Sequence, residues 1–107
     1  MSAIKFTYED EEFTLEFSRR TIRSMESAGF TLDKVAEYPA TYIPVLFKGA
    51  FLMHHQRTKE EKINAIFKAI DDKDGLMSAL IDMYREPLNE MFEEPEDESK
   101  KVIWKKE

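Results

Sequence analysis

Hydrophobic and polar residues alternate in two short stretches near the N-terminus. The alternating apolar positions are Ile4, Phe6 and Tyr8, followed by Phe13, Leu15 and Phe17. A period of two is typical of a β-strand with one buried face, so the pattern predicts a β-hairpin over residues 3–17. Residues 9–12 between the strands are all acidic and include no Gly or Asn, which leaves the turn type open. Because a two-stranded hairpin is marginal alone, we expect helices to pack on its apolar face.

Start and stop signals for two short helices follow the hairpin. Ser18 is a good N-cap for a helix that runs through Ala28, and Gly29 can end that helix in a left-handed conformation. Thr31 can begin one or two further helical turns. Pro39 is expected to stop them, because the residue before a proline avoids the helical region.

The most unusual pattern predicts a helix from Tyr42 to about Gln56, begun by Thr41 and with Pro44 in its first turn. Apolar or small side chains cover nearly its whole circumference: Tyr42, Ile43, Val45, Leu46, Phe47, Gly49, Ala50, Phe51, Leu52 and Met53. A helix that is apolar all round must be surrounded. The sequence leaves open whether its own domain or a partner surrounds it.

Two further helices are predicted in the second half of the chain. Residues 58–61 form a capping box, which is a strong signal for the start of a helix. The helix that follows carries a narrow apolar stripe of Ile63, Ile66, Phe67 and Ile70. After a turn at residues 72–75, the longest helix is predicted over residues 76–92. Apolar residues cover about half of its circumference, and Pro87 is expected to kink it.

The expected fold is therefore α+β and mostly α, with the N-terminal hairpin packed on a bundle of about four to five helices. We assign one domain to residues 1–94, with the hairpin at 3–17 and the helices at 19–93. Residues 95–107 are expected to form a flexible, disordered charged tail, because their charges cannot bury apolar surface. An isolated Val102-Ile103-Trp104 lies in that tail between lysines.

Composition narrows the range of functions. The 107 residues carry a net charge of −6 and include no cysteine, which excludes disulfides and thiolate chemistry and suits a reducing cytoplasm. The N-terminus lacks the pattern of a signal peptide, and no run of about 20 apolar residues could span a membrane. Binding to nucleic acid is not expected, because phosphate contacts draw on clustered Lys and Arg. We therefore expect a cytoplasmic protein without membrane or nucleic-acid partners.

No residue pattern indicates catalysis, a cofactor or a metal ion. Adjacent His54 and His55 would point about 100° apart on a helix, so they cannot ligate one ion together. Residues 72–75 resemble part of a calcium-binding loop, but Ile70 and Ile81 would then occupy ligand positions. A Gly-rich phosphate loop and a nucleophile elbow are both absent from the sequence. The protein is expected not to be an enzyme and to have no catalytic, cofactor-binding or metal residues.

Four apolar residues are candidates for binding a partner: Met77, Phe92, Ile103 and Trp104. Met77 and Phe92 lie near the edges of the apolar arc of the last helix, and a flexible thioether suits a surface that adapts to its partner. Ile103 and Trp104 lie in the charged tail, where an aromatic residue can anchor a partner. The alternative is that Trp104 folds back to cover the domain. The basic cluster of Arg19, Arg20 and Arg23 is expected to pair with surface carboxylates.

Several segments resemble the tail assembly chaperones of long-tailed phages and prophages of Gram-positive bacteria. The segments are Phe13-Thr14-Leu15-Glu16-Phe17-Ser18-Arg19-Arg20-Thr21-Ile22, Met25-Glu26-Ser27-Ala28-Gly29-Phe30, Leu46-Phe47-Lys48-Gly49-Ala50-Phe51, His54-His55, Met83-Tyr84 and the late Trp104. The resemblance implies a helical protein that binds the tape measure protein and the tail tube protein during virion morphogenesis. Such a chaperone keeps the long apolar tape measure chain soluble in the host cytoplasm and is absent from the mature virion.

Two other functions compete with this expectation. One is an acidic phage-encoded regulatory protein that binds a host factor, although the carboxylates here are scattered and interleaved with lysines. The other is a minor structural component of the virion. Self-association is left open.

Overall fold

The fold comes from a computed structural model that describes residues 2–106, with the Glu98 side chain left out. Within that range the elements are β1 (Ile4–Tyr8), β2 (Glu11–Leu15), α1 (Arg19–Ser27), α2 (Leu32–Glu37), α3 (Pro39–Gly49), α4 (Leu52–His55), α5 (Glu60–Ala69), α6 (Lys73–Glu90) and a 3₁₀ turn (Glu98–Lys100). The predicted α+β, mostly α class is confirmed. The described part has six α-helices, because the predicted central helix is divided in two.

The N-terminal hairpin is confirmed. β1 and β2 pair in antiparallel fashion with Phe6 opposite Phe13, and the two rings stack with their centroids 5.3 Å apart. The turn consists of Glu9 and Asp10, whose φ angles are 50° and 64°. Two successive left-handed residues are what a two-residue turn needs to match the strand twist. Since neither residue is Gly or Asn, the sequence held no signal for this turn type.

α1 is capped as its sequence predicts. The Thr21 N–H donates to Ser18 Oγ at 3.2 Å, and the Ser18 N–H donates to Thr21 Oγ1 at 2.9 Å. This reciprocal pair satisfies two N–H groups that a helix start leaves free. Ile22 and Met25 are buried, and Gly29 follows the helix with a φ of +98°. Thus the predicted start, inner face and end of this helix are all confirmed.

The single helix predicted over residues 42–56 is wrong in both its start and its continuity. Pro39 ends α2 as expected, but it also opens α3 at a position where its missing N–H costs nothing. Pro44 therefore lies inside α3, not in its first turn. The helix breaks after Gly49 because the Glu16 N–H donates to Ala50 O at 3.1 Å, which takes that carbonyl out of the helical ladder.

The starts of α5 and α6 also differ from prediction. Thr58 does not cap α5, because the N-cap is Lys59, which makes no side-chain cap bond. The Thr58 N–H donates to His55 O in the preceding turn. The predicted turn at 72–75 is the cap and first turn of α6, where the Gly75 N–H donates to the side chain of Asp72 at 3.2 Å. α6 continues past Pro87 to Glu90.

The core forms where the hairpin meets the helices. Its fully buried aromatic residues are Phe13, Phe17, Phe30, Phe47 and Phe51. The molecule measures 56 × 31 × 25 Å and exposes 8191 Å² of surface, whereas a compact 12.6 kDa monomer exposes about 6,200 Å². Side chains 91–97 and 99–106 are all exposed and contribute to this surplus. That residues 95–107 form a flexible tail outside a domain of residues 1–94 stays a prediction.

Tyr84 is the buried polar side chain with the clearest energetic consequence. It is 2% exposed, and its hydroxyl has no hydrogen-bond partner. Burial, with a smaller contribution from Glu26, raises the pKa of Tyr84 to about 12. The unfolded chain loses this proton near pH 10, so the wild-type stability should fall by about 2–3 kcal/mol between pH 10 and 12.

Tyr84→Phe is expected to lack this alkaline decline, because the variant has no hydroxyl to ionise. At pH 7 it should be neutral or more stable by up to about 1 kcal/mol, since an unpartnered buried hydroxyl is removed without changing the shape of the ring. Urea unfolding of both proteins at pH 7 and pH 11 measures both effects. A loss of stability at pH 7 would show that the hydroxyl is bonded after all.

Candidate protein-binding surface

An apolar groove lies between α1 on one side and α3 and α4 on the other, and we call it the α1–α3 groove. It encloses about 230 Å³ and is lined by Ser24, Met25, Ala28, Phe30, Tyr42, Val45, Lys48, Gly49 and Leu52. Val45 is 37% exposed although it lies on the helix with the most apolar sequence. One apolar position that the domain leaves uncovered on α3 therefore faces this groove.

The α1–α3 groove continues into a second depression of about 490 Å³. Ser24 and Leu52 line both parts, and the second part reaches Arg20 and Met53. Met53 is 40% exposed. Together the two parts form an elongated concave surface along α1, which is the shape that suits an extended or helical segment of another protein.

The floor of the α1–α3 groove is formed by the flexible side chain of Met25, for which Gly49 leaves room. A Cβ at this position would overlap Sδ and Cε of Met25, so only glycine lets the thioether lie directly against the α3 backbone. Methionine side chains are unbranched and adjust to irregular neighbours. The floor can therefore adapt to side chains of different size.

The charges at the rim of the α1–α3 groove are basic. Lys48 and Arg20 line it, and Lys34 lies 5.4 Å from the centroid of the Tyr42 ring. Lys48 is 3.9 Å from Glu60, a long and exposed pair that contributes little. The rim thus favours a partner whose apolar segment is flanked by acidic residues.

The expectation that Arg19, Arg20 and Arg23 pair with surface carboxylates is wrong. Among the ion pairs in the described part of the chain, none involves these arginines. Glu26, in the last turn, is the only acidic residue on α1, so Arg19 and Arg20 have no carboxylate within reach along their own helix.

The four predicted partner-binding residues differ in their burial. Met77 is partly buried against the core, whereas Phe92, Ile103 and Trp104 are 84%, 86% and 81% exposed. Met77 and Phe92 are separated by 15 positions along α6 and its end, or about 22 Å. Trp104 does not cover the domain in this structure. The sequence did not single out Val45 and Met53, although the all-round apolar pattern of their helix was the signal for them.

His54 and His55 join α4 to β2. The Thr14 N–H donates to His55 Nε2 at 2.9 Å, and His54 Nε2 lies 2.9 Å from Glu16 Oε1. Both histidines therefore have structural partners. Within residues 2–106, no three or more His, Asp or Glu side chains are grouped so that they could hold a metal ion. No helix in that range is long and apolar enough to cross a membrane.

His55→Ala is expected to lower the free energy of unfolding by about 1–3 kcal/mol, because the Thr14 N–H loses its acceptor. The ring also packs against Phe13, with a centroid distance of 5.0 Å. His54→Ala is the matched control and should cost less than about 1 kcal/mol, since its contact with Glu16 is an exposed pair. Urea unfolding compares them, and a larger loss in the control would refute this assignment of roles.

Comparison with known proteins places the chain in a family. No curated protein and no solved structure matches it. A family model described as a domain of unknown function, DUF5055, matches residues 1–107, which is the whole chain. The chain therefore belongs to the DUF5055 family.

Proposed function

We propose that this protein is a tail assembly chaperone of a phage or prophage of Gram-positive bacteria and that it acts by binding, without catalysis. Its client is an apolar helical segment of the tape measure protein. The α1–α3 groove is the observation that carries this proposal, because it is concave and apolar and leaves Val45 and Met53 partly exposed. The sequence resemblance to tail assembly chaperones supplies the identity of the client.

The groove suits an amphipathic helix better than a small ligand. Helix-binding grooves take apolar anchors spaced three, four and seven residues apart along one face of the bound helix. An elongated groove with an adaptable floor can receive such anchors from many successive segments of a long client. One protein could therefore shield different parts of a repetitive apolar chain in turn.

The charges of the protein support the same role. A net charge of −6 keeps a complex with an apolar client dissolved, while the basic rim orients the acidic flanks of the bound segment. Tail tube subunits would then displace the chaperone as they assemble around the client. The chaperone works in the host cytoplasm and is absent from the mature virion.

Co-expression with a tape measure protein of such a phage tests this proposal. The expected result is a soluble complex that contains both proteins, whereas the tape measure protein alone should be insoluble. An insoluble tape measure protein despite abundant chaperone would contradict the proposal. Mass spectrometry of purified particles adds a second test, because detection of this chain in mature virions would favour a minor structural component.

A further inference from the structure

The outer edge of β2 is occupied at two positions. The Thr14 N–H donates to His55, and the Glu16 N–H donates to Ala50 O. In an antiparallel pair, residues that do not bond across the pair direct their N–H and C=O groups outward. Thr14 is opposite Lys5 and Glu12 is opposite Thr7. It follows that Lys5 and Thr7 direct their backbone groups away from β2, toward the other edge of the hairpin.

That other edge, on β1, is open. Among the described residues, no backbone group bonds to Lys5 or Thr7 from outside the hairpin. An unpaired strand edge is a ready template for another strand. Ile4, Phe6 and Tyr8 are only partly buried, so the apolar flank of β1 is also incompletely covered. An added strand would satisfy both the polar and the apolar groups at this edge.

The C-terminal segment has the residues of a strand, and its apolar side chains are exposed. Val102, Ile103 and Trp104 are β-branched or aromatic, and each is more than 80% exposed. In an extended strand, Val102 and Trp104 share one face and Ile103 lies on the other. Val102 and Trp104 could therefore cover the apolar flank of Phe6 while Ile103 stays on the outer face.

The charges of the two surfaces are complementary. Residues 99–106 include four lysines and no acidic residue, whereas residues 1–98 carry 21 acidic and 12 basic residues. Residues 9–12, which form the turn and the start of β2 beside the end of β1, are all acidic and exposed. Lysines flank Val102-Ile103-Trp104 on both sides. Lysines from one side would therefore lie near these acidic residues whether the added strand runs parallel or antiparallel to β1.

We propose that residues 101–105 of one copy of this protein add as a third strand to β1 of a second copy. The open edge and the exposed segment are different surfaces, so the contact links successive copies or pairs two copies reciprocally. This edge includes none of the residues that line the α1–α3 groove. The assembly therefore leaves each groove free for its client, and the inference goes beyond the proposed function.

The test uses the purified full-length protein alone, with its mass measured by light scattering from micromolar to millimolar concentration. We expect an oligomer whose mass rises with concentration and falls with added salt. Thr7→Pro removes an outward N–H that the hairpin itself does not use, so it should block strand addition with the hairpin intact. Thr7→Val keeps that N–H and should associate like the wild type.

Two tail variants keep the test decisive if Thr7→Pro fails to fold. Trp104→Ala and the double variant Lys105→Glu/Lys106→Glu leave the domain untouched, and each should raise the dissociation constant at least about tenfold. A wild type that stays monomeric at every concentration would overturn the proposal. This holds also if the segment binds to the β1 edge of its own chain, because that protein would be monomeric too. Unchanged association of the tail variants would overturn it as well. Neither outcome depends on the tape measure protein.

Discussion

Replacing Phe51 by Ala is expected to lower the free energy of unfolding by about 3–5 kcal/mol. Phe51 is 1% exposed and lies between the hairpin and the helices. Its ring centroid is 5.9 Å from that of Phe13 on β2 and 5.2 Å from that of Phe47 on α3. Its removal would leave a cavity where these elements meet. Since small domains are stable by only about 5–15 kcal/mol, the variant should be close to unfolding.

Phe92→Ala is the matched control for this prediction, because the same atoms are removed from a side chain that is 84% exposed. The control should change stability by no more than about 0.5 kcal/mol. Urea unfolding followed by circular dichroism compares the two variants with the wild type. Equal losses for both variants would mean that the described packing of Phe51 is wrong.

Val45→Lys is expected to weaken client binding more than about tenfold, which corresponds to at least 1.4 kcal/mol. The substitution places a charged group in the apolar part of the α1–α3 groove, where a bound helix would have to desolvate it. Val45 is already 37% exposed, so the fold should tolerate the change. Titration of a labelled tape measure peptide into each protein measures the dissociation constant.

Asn64→Lys is the control for the groove variant, because it adds the same charge on an exposed position of α5 that does not line the groove. It should bind the peptide like the wild type. If both variants lose affinity equally, the effect comes from overall charge and the groove is not the site. If Val45→Lys binds normally, the client binds elsewhere.

Patterns that depend on local sequence were sufficient to predict much of the fold. The period of two in the hairpin, the Ser18 cap and the Gly29 stop all act within a few residues, and each is confirmed. The break after Gly49 could not be predicted, because it depends on Glu16, which is distant in the sequence and bonds to the Ala50 carbonyl. Such a contact leaves no mark on the local hydrophobic pattern.

The candidate site was predictable only in part for a similar reason. An all-round apolar helix indicates that some of its faces need cover, but the packing of neighbouring elements decides which faces those are. Leu46 and Phe47 are buried inside the domain, whereas Val45, next to them in the sequence, faces the groove. Met77 likewise packs against the core and is partly buried, although it lies near the edge of the apolar arc of α6.

Photo-crosslinking from the α1–α3 groove tests the central claim most directly. A benzophenone amino acid placed at Val45 in the co-expressed complex should crosslink to apolar helical segments of the tape measure protein. The same group placed at Asn64 should give no such product. Crosslinks to the client from Asn64, or from Trp104 but not from Val45, would contradict the claim that this groove holds the client.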